Sequence, residues 1–299
     1  MTDAPATAKE ALLRLVRRDP RTCGLNRSRW RLADLLAACA DWTVRTAGGM
    51  WGILDRLGIS YQRGRDYIHS PDPDYLAKIA AIETVLTEVR ACTERQVALY
   101  LDELTYYRHP SVAPAYEARG EGPPRAQRSV RAATPTRVVA TLDQHDGRVV
   151  AWQGSKVGIP QLVNFYRQVR EAYPAAERLY IIMDNWPIHY HPDVLVALEP
   201  QEASWPRRLS PSWPTKPTAK AQAKWGSWNL PLQLLSLPTY ASWENPIEKL
   251  WRWAKQEVLH LHPFADRLPQ LRGALQEFLA QFAQGSQALL RYVGLPVLD

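Results

Sequence analysis

Two apolar runs, each closing on acids, constrain this chain more than any other feature. One is Leu99-Tyr100-Leu101-Asp102-Glu103, and the other is Leu179-Tyr180-Ile181-Ile182-Met183-Asp184-Asn185. Short runs of this kind read as buried strands, and a strand buried on both faces needs helices to cover it. An acid at the carboxyl end of such a strand stands where open sheets gather their sites. A third stretch, Leu237-Pro238-Thr239-Tyr240-Ala241-Ser242-Trp243-Glu244-Asn245-Pro246-Ile247-Glu248-Lys249-Leu250-Trp251, adds an acid on a helix whose start is marked by proline.

The order of elements around these runs can be read directly. Gln96 to Asp102 is a short strand. Arg137 to Leu142 and Arg148 to Trp152 flank Asp143-Gln144-His145-Asp146-Gly147, a hairpin signal. Pro160 opens a helix carrying Leu162, Val163, Phe165, Tyr166 and Val169, and Arg178 to Met183 is the next strand. A short helix from Pro192, a strand over Gln233 to Leu237 and a helix from Pro246 to Leu259 complete the series. Strand, hairpin, helix, strand, helix, strand, helix is the element order of a ribonuclease H-like α/β fold, a mixed sheet flanked by helices.

Ahead of it lies a different region. Trp30, Leu32, Leu35, Leu36 and Cys39 recur at helical spacing, as do Met50, Trp51, Ile53, Leu54 and Leu57. Two short amphipathic helices before a basic Tyr61-Gln62-Arg63-Gly64-Arg65 resemble a helix-turn-helix with a wing or arm, and a small helical packing module fits the same pattern. Residues 1–73 are therefore read as a small all-α domain of helix-turn-helix or winged-helix type. The boundary falls in His69-Ser70-Pro71-Asp72-Pro73-Asp74, where two prolines exclude continuous helix. Residues 74–95 form a linker helix and 96–299 the second domain.

The formal net charge of +7 suits a polyanionic partner. Three cysteines in no metal-ligand spacing argue against a disulfide framework and for a reducing cytoplasm. No run approaches the ~18 apolar residues of a membrane span. A segment from about 203 to 243 has no acidic residue and mixes Arg207, Arg208, Lys216, Lys220 and Lys224 with five tryptophans. Such a mixture either stacks on unpaired bases while neutralising phosphates, or forms the small core of an insertion.

Taken together, the three acid-bearing stretches resemble the mariner-like transposases, in their bacterial insertion-sequence branch with a DDE-type endonuclease domain. The resemblance covers nearly the whole chain. Two departures stand in the third motif. Ala241-Ser242 replaces the usual Ser-Pro, and Glu244 sits where the family has an apolar residue. The gap between Asp184 and Glu248 also exceeds that of animal mariner elements, and the basic, tryptophan-rich segment accounts for the excess.

The resemblance implies a transposase that recognises terminal inverted repeats of double-stranded DNA, cuts, and inserts at TA dinucleotides, working as a homodimer on its DNA. It implies Asp102, Asp184 and Glu248 as catalytic residues and ligands of two Mg2+ ions, with Mn2+ able to substitute. Asp102 bridges both ions in this scheme. Glu103, facing the other side of its strand, joins Asn185, His189 and Asn245 in supporting roles. Arg27, Arg29, Arg31, Arg63 and Arg65 fall to DNA contact in the first domain, and Arg207, Arg208, Lys216, Lys220 and Lys224 in the second.

Each acid also has an ordinary role open to it. Asp ends turns and caps helices. Asn245 as N-cap and Pro246 at the first helical position would put Glu248 at the third, the register of a capping box. His189/His191 and His260/His262 have a spacing that could seat zinc in a strand, but no cysteine lies nearby. Two other functions share the motifs: a silent, element-derived DNA-binding regulator, and a ribonuclease H-like nuclease that does not transpose.

Overall fold

The structure is a computed structural model, and it describes residues 8–61, 70–93, 95–201, 205 and 209–297. The chain divides into two compact units, Met1–Tyr67 and Ile68–Asp299.

The first unit is helical, with α1 (Ala8–Val16), α2 (Leu32–Ala38) and α3 (Ala47–Arg56). Leu12, Leu35, Cys39, Met50 and Leu54 form its core, as the helical spacing requires. Thr46 caps α3 by accepting from the Gly49 amide at 3.0 Å. A Cβ on Gly49 would come within 2.7 Å of a Val44 methyl, so close packing at the helix start accounts for glycine there.

The second unit opens with α4 (Tyr75–Ala91) and continues with β1 (Gln96–Tyr107), β2 (Pro135–Asp143), β3 (Val149–Gly154), α5 (Ile159–Ala172) and β4 (Arg178–Met183). It closes with α6 (Pro192–Leu195), α7 (Ala219–Trp225), β5 (Leu232–Ser236), α8 (Ile247–Ala254), α9 (Leu268–Ala280) and α10 (Gln287–Val293). The strands make one sheet in the order β3-β2-β1-β4-β5. β1, β2 and β3 are antiparallel neighbours, while β1, β4 and β5 run parallel. The β2–β3 turn needs Gly147 at φ +74°, where a Cβ would also strike the Ser286 carbonyl at 2.5 Å.

Helices cover both faces. On one, Leu250, Trp251, Leu275 and Phe278 pack against Tyr100, Val138 and Ile182. On the other, Leu162, Phe165 and Tyr166 pack against Leu99, Leu101 and Ile181. Among the described residues no helix is long and apolar enough to cross a membrane.

Three expectations change. β1 runs five residues past Asp102, because β2 pairs with it as far as Tyr107. Its parallel pairing with β4 stops at Tyr100, so Asp102 lies where that pairing ends and not where the strand ends. Residues 70–74 belong to the second unit, tied there because Ser70 donates to the Thr239 carbonyl and Asp72 accepts from the Thr239 amide. The 203–243 segment is also less irregular than its composition suggests. It contains α7, whose Trp225 is buried on the α5 side of the sheet. That tryptophan is core and is not free to stack on a base.

Candidate functional site

β1 alternates its side chains across the sheet, which sends Asp102 toward α8 and Glu103 toward α5. Asp102 Oδ2 accepts a hydrogen bond from Trp251 Nε1 at 2.8 Å. Asp184 follows β4 directly, and its Oδ1 accepts from the Trp186 amide at 2.8 Å. Glu248 stands in the first turn of α8, exposed, while Ile247, Leu250, Trp251 and Ala254 turn inward at helical spacing. Asp102, Asp184 and Glu248 line a single solvent-open cleft of about 330 Å³, together with Asn185, Asn245 and the 237–242 loop.

The electrostatics reflect this crowding. Burial, then the charges of Glu248 and Glu103, push the Asp102 carboxyl up to about 8 against the opposing Trp251 hydrogen bond. Glu248 is raised as well, first by partial desolvation in the cleft. The charge of Asp184 adds to the rise, and Lys255 and Arg252 oppose it.

The walls of the cleft are fastened from several elements. Asn185 Nδ2 donates to the Leu237 carbonyl at 2.7 Å, and Asn245 Nδ2 donates to the Leu101 carbonyl at 3.0 Å. The second bond corrects the capping-box reading. α8 begins after Pro246 with no side-chain cap, and the Asn245 amide is spent on the β1 edge that β4 leaves unpaired. Asp72 Oδ2 accepts from the Thr239 amide at 2.7 Å and from Lys78 Nζ at 2.8 Å. Ser70 Oγ donates to the Thr239 carbonyl at 2.6 Å, and Tyr75 donates to Glu244 Oε1 at 2.7 Å. The ties of Ser70, Asp72 and Tyr75 are not visible in the local sequence, whereas Asn185 and Asn245 are among the supporting residues that the resemblance implies.

Glu103 and His189 meet behind the cleft, with Glu103 Oε1 at 3.1 Å from His189 Nε2. His189 is fully buried, and its Nδ1 lies 2.8 Å from the Tyr166 hydroxyl. His191 is engaged elsewhere, its Nδ1 accepting from the Asp193 amide at 3.1 Å while its ring packs on Trp213. Of the basic residues, Arg29 and Arg31 are exposed, as are Lys216, Lys220 and Lys224. Arg27 is drawn into an ion pair with Asp34 at 2.9 Å. Arg63, Arg65, Arg207 and Arg208 lie outside the described residues.

Comparison with known proteins adds three kinds of likeness. The DDE superfamily endonuclease model matches residues 97–272. An insertion element IS630 uncharacterized 39 kDa protein of Shigella sonnei is 21% identical over 289 residues, covering 94% of this chain and 73% of that protein. The fold is similar to a Mos1 transposase paired-end complex with left transposon end, at TM-score 0.58 and 16% identity, over 98% of this chain and 79% of that one. It is also similar to a Mos1 mariner paired end complex with Mn, at TM-score 0.55 and 14% identity, over 100% of this chain and 82% of that one. A Mos1 strand transfer complex matches at TM-score 0.53 and 14% identity, over 98% of this chain and 76% of that one. The matched span takes in β1, β4, α8 and all three cleft acids, more than half of the chain, and on it the protein belongs to the DDE superfamily endonucleases.

Proposed function

We propose that this endonuclease is a DNA transposase that binds the terminal inverted repeats of its element, cuts at their ends and joins them to target DNA at TA dinucleotides. The observation that carries this reading is the convergence of Asp102, Asp184 and Glu248 on one open cleft. Its support is the fold shared with the Mos1 transposase complexes and the likeness to an insertion-element protein.

The residues present fit divalent cations. Three carboxylates crowded on one cleft, with Asp102 and Glu248 raised by burial and by neighbouring acids, form an oxygen donor set with excess negative charge, which is what Mg2+ takes. Asp102, Asp184 and Glu248 would hold two Mg2+ ions, with Mn2+ able to replace them. When bound, such ions supply Lewis-acid activation of a water or 3′-hydroxyl and neutralise the leaving oxygen.

The chain's own residues do the positioning. Trp251 occupies one oxygen of Asp102 and leaves the other for the cleft. Asn185 and Asn245 fasten the loop and strand edge that carry the acids. In the first unit α2 and α3 serve as the helix-turn-helix, with exposed Arg29 and Arg31 on phosphates. Lys216, Lys220 and Lys224 add phosphate contacts in the second unit. Holding a pair of ends, as the Mos1 paired-end complexes do, calls for a homodimer, and the place of action is the bacterial cytoplasm.

The test is a pair of glutamines. Glu248→Gln removes one cleft charge and should lower metal-dependent cleavage of repeat-bearing DNA by about 10³-fold or more while repeat binding persists. Glu244→Gln keeps an acceptor for Tyr75 and should retain most activity. Robust cleavage by Glu248→Gln sinks the assignment of the third acid.

A further inference from the structure

The described residues contain a second group of metal-ligating atoms, on the other side of β1 from Asp102. A carboxylate oxygen of Glu103, one of Asp184 and a ring nitrogen of His189 all lie within 4.8 Å of one another. The pair at its heart is anomalous for a hydrogen bond. Glu103 Oε1 and His189 Nε2 stand 3.1 Å apart, yet both atoms are buried and neither has a hydrogen-bond partner.

The Tyr166 hydroxyl has two neighbours, Met183 Sδ at 3.9 Å and His189 Nδ1 at 2.8 Å. In one of the two neutral tautomers the hydroxyl points to the sulfur and its oxygen accepts from Nδ1–H. With Nδ1 protonated, the neutral ring presents a bare lone pair at Nε2. In that tautomer two acceptors face each other across 3.1 Å in a buried place, an arrangement that costs free energy unless a proton or a metal cation sits between them. Cis ligands about 2.1–2.2 Å from a shared metal are spaced by roughly 3 Å, which is the separation found. A ligating histidine also ordinarily donates its other N–H to a fixed oxygen, the part that Tyr166 takes.

We propose that His189 Nε2, Glu103 and Asp184 form a divalent transition-metal site behind the cleft. An imidazole with two carboxylates suits Mn2+ or Zn2+ better than Mg2+, which prefers oxygen throughout. Asp184 is common to this site and the cleft, so a cation here orients its carboxylate from behind. The site is distinct from the three-acid set in its nitrogen ligand and its face of the sheet, and it does not rest on the transposase reading.

The test is Mn2+ binding to the metal-stripped full chain, followed by electron paramagnetic resonance. The Asp102→Asn, Glu248→Gln double variant removes two of the three cleft acids and should keep one bound Mn2+ per chain. The bound ion should show the ¹⁴N coupling of an imidazole. Adding His189→Gln should abolish that coupling and weaken the remaining site at least 10-fold. Glu103→Gln in the same background should weaken it similarly, and that variant leaves the buried ring and its Tyr166 partner in place. A folded double variant that binds no Mn2+, or binds it without ¹⁴N coupling, overturns the proposal. A failure of the three-acid reading would look different, with cleavage persisting in Glu248→Gln whatever the spectra show.

Discussion

At the scale of single residues, Asn245 and Asp102 show how tertiary contacts override local roles. Asn245 has the sequence position of a helix cap, but its buried side chain satisfies the Leu101 carbonyl. Serine caps about as well as asparagine. Asn245→Ser should nonetheless cost about 1–3 kcal/mol in thermal or denaturant unfolding, because the strand carbonyl is left without its donor. An unchanged midpoint would restore the capping role. Asp102 makes a prediction about pH. Its carboxyl is pushed up to about 8 from an ordinary 3.8, by burial first and then by Glu248 and Glu103. A raised acid opposes folding once ionised. The cost is absent below the unfolded pKa and grows as pH climbs toward the folded one. Metal-free protein should therefore lose stability from about pH 4 to pH 8, and Asp102→Asn should flatten that decline. At pH 8 the variant should melt higher by roughly 2–6 °C, about 1–2 kcal/mol. Melting curves across pH decide it, and a slope that survives the substitution would assign it to other groups.

At the scale of elements, the lead-in to α4 acts as a strap on the cleft wall and not as a free linker. Lys78 and Asp72 are both buried, and Asp72 also receives the Thr239 and Asp74 amides. Burial alone would raise its carboxyl, but the Lys78 and backbone hydrogen bonds outweigh that and bring it down to about 2. The sign is the reverse of that at Asp102. Stability from Asp72 is fully present above its unfolded pKa near 3.8 and disappears as pH falls through about 2. Asp72→Ala strands a buried ammonium and should cost about 3–5 kcal/mol at neutral pH. Faster amide exchange over residues 237–245 should accompany the destabilisation. Exchange confined to α4, with the 237–245 loop unaffected, would show that the strap does not hold the wall. Nothing in the local pattern of Ser70-Pro71-Asp72-Pro73 announces this tie, because its partners lie 167 and 169 residues away.

At the scale of the whole molecule, the basic segment before α8 divides into an inward and an outward part. Trp225 is buried in the α5-side core, and Trp228 packs against that core with Arg167 over its ring. Lys216, Lys220 and Lys224 face solvent. Trp225→Ala should therefore destabilise the fold by about 3–5 kcal/mol, with weaker DNA binding following from unfolding. Changing the three lysines to glutamine should leave melting unchanged and flatten the salt dependence of DNA binding, by up to about 0.9 in slope for each phosphate no longer neutralised. An unaltered salt slope would remove these lysines from the interface. Much of this architecture is legible in the sequence. Short apolar runs, the Asp143–Gly147 turn and helical stripes such as Leu162, Phe165, Tyr166 and Val169 are local consequences of side-chain geometry, and they suffice for the mixed α/β sheet and the three acid-bearing stretches. Pairing partners are another matter. The early end of β4 against β1, the recruitment of Asn245 to the edge it exposes, the strap from Ser70 to Tyr75 and the meeting of Glu103 with His189 all join residues far apart in sequence. Their free energy comes from burying polar groups only where a partner waits, and the identity of that partner exists only once the chain has folded.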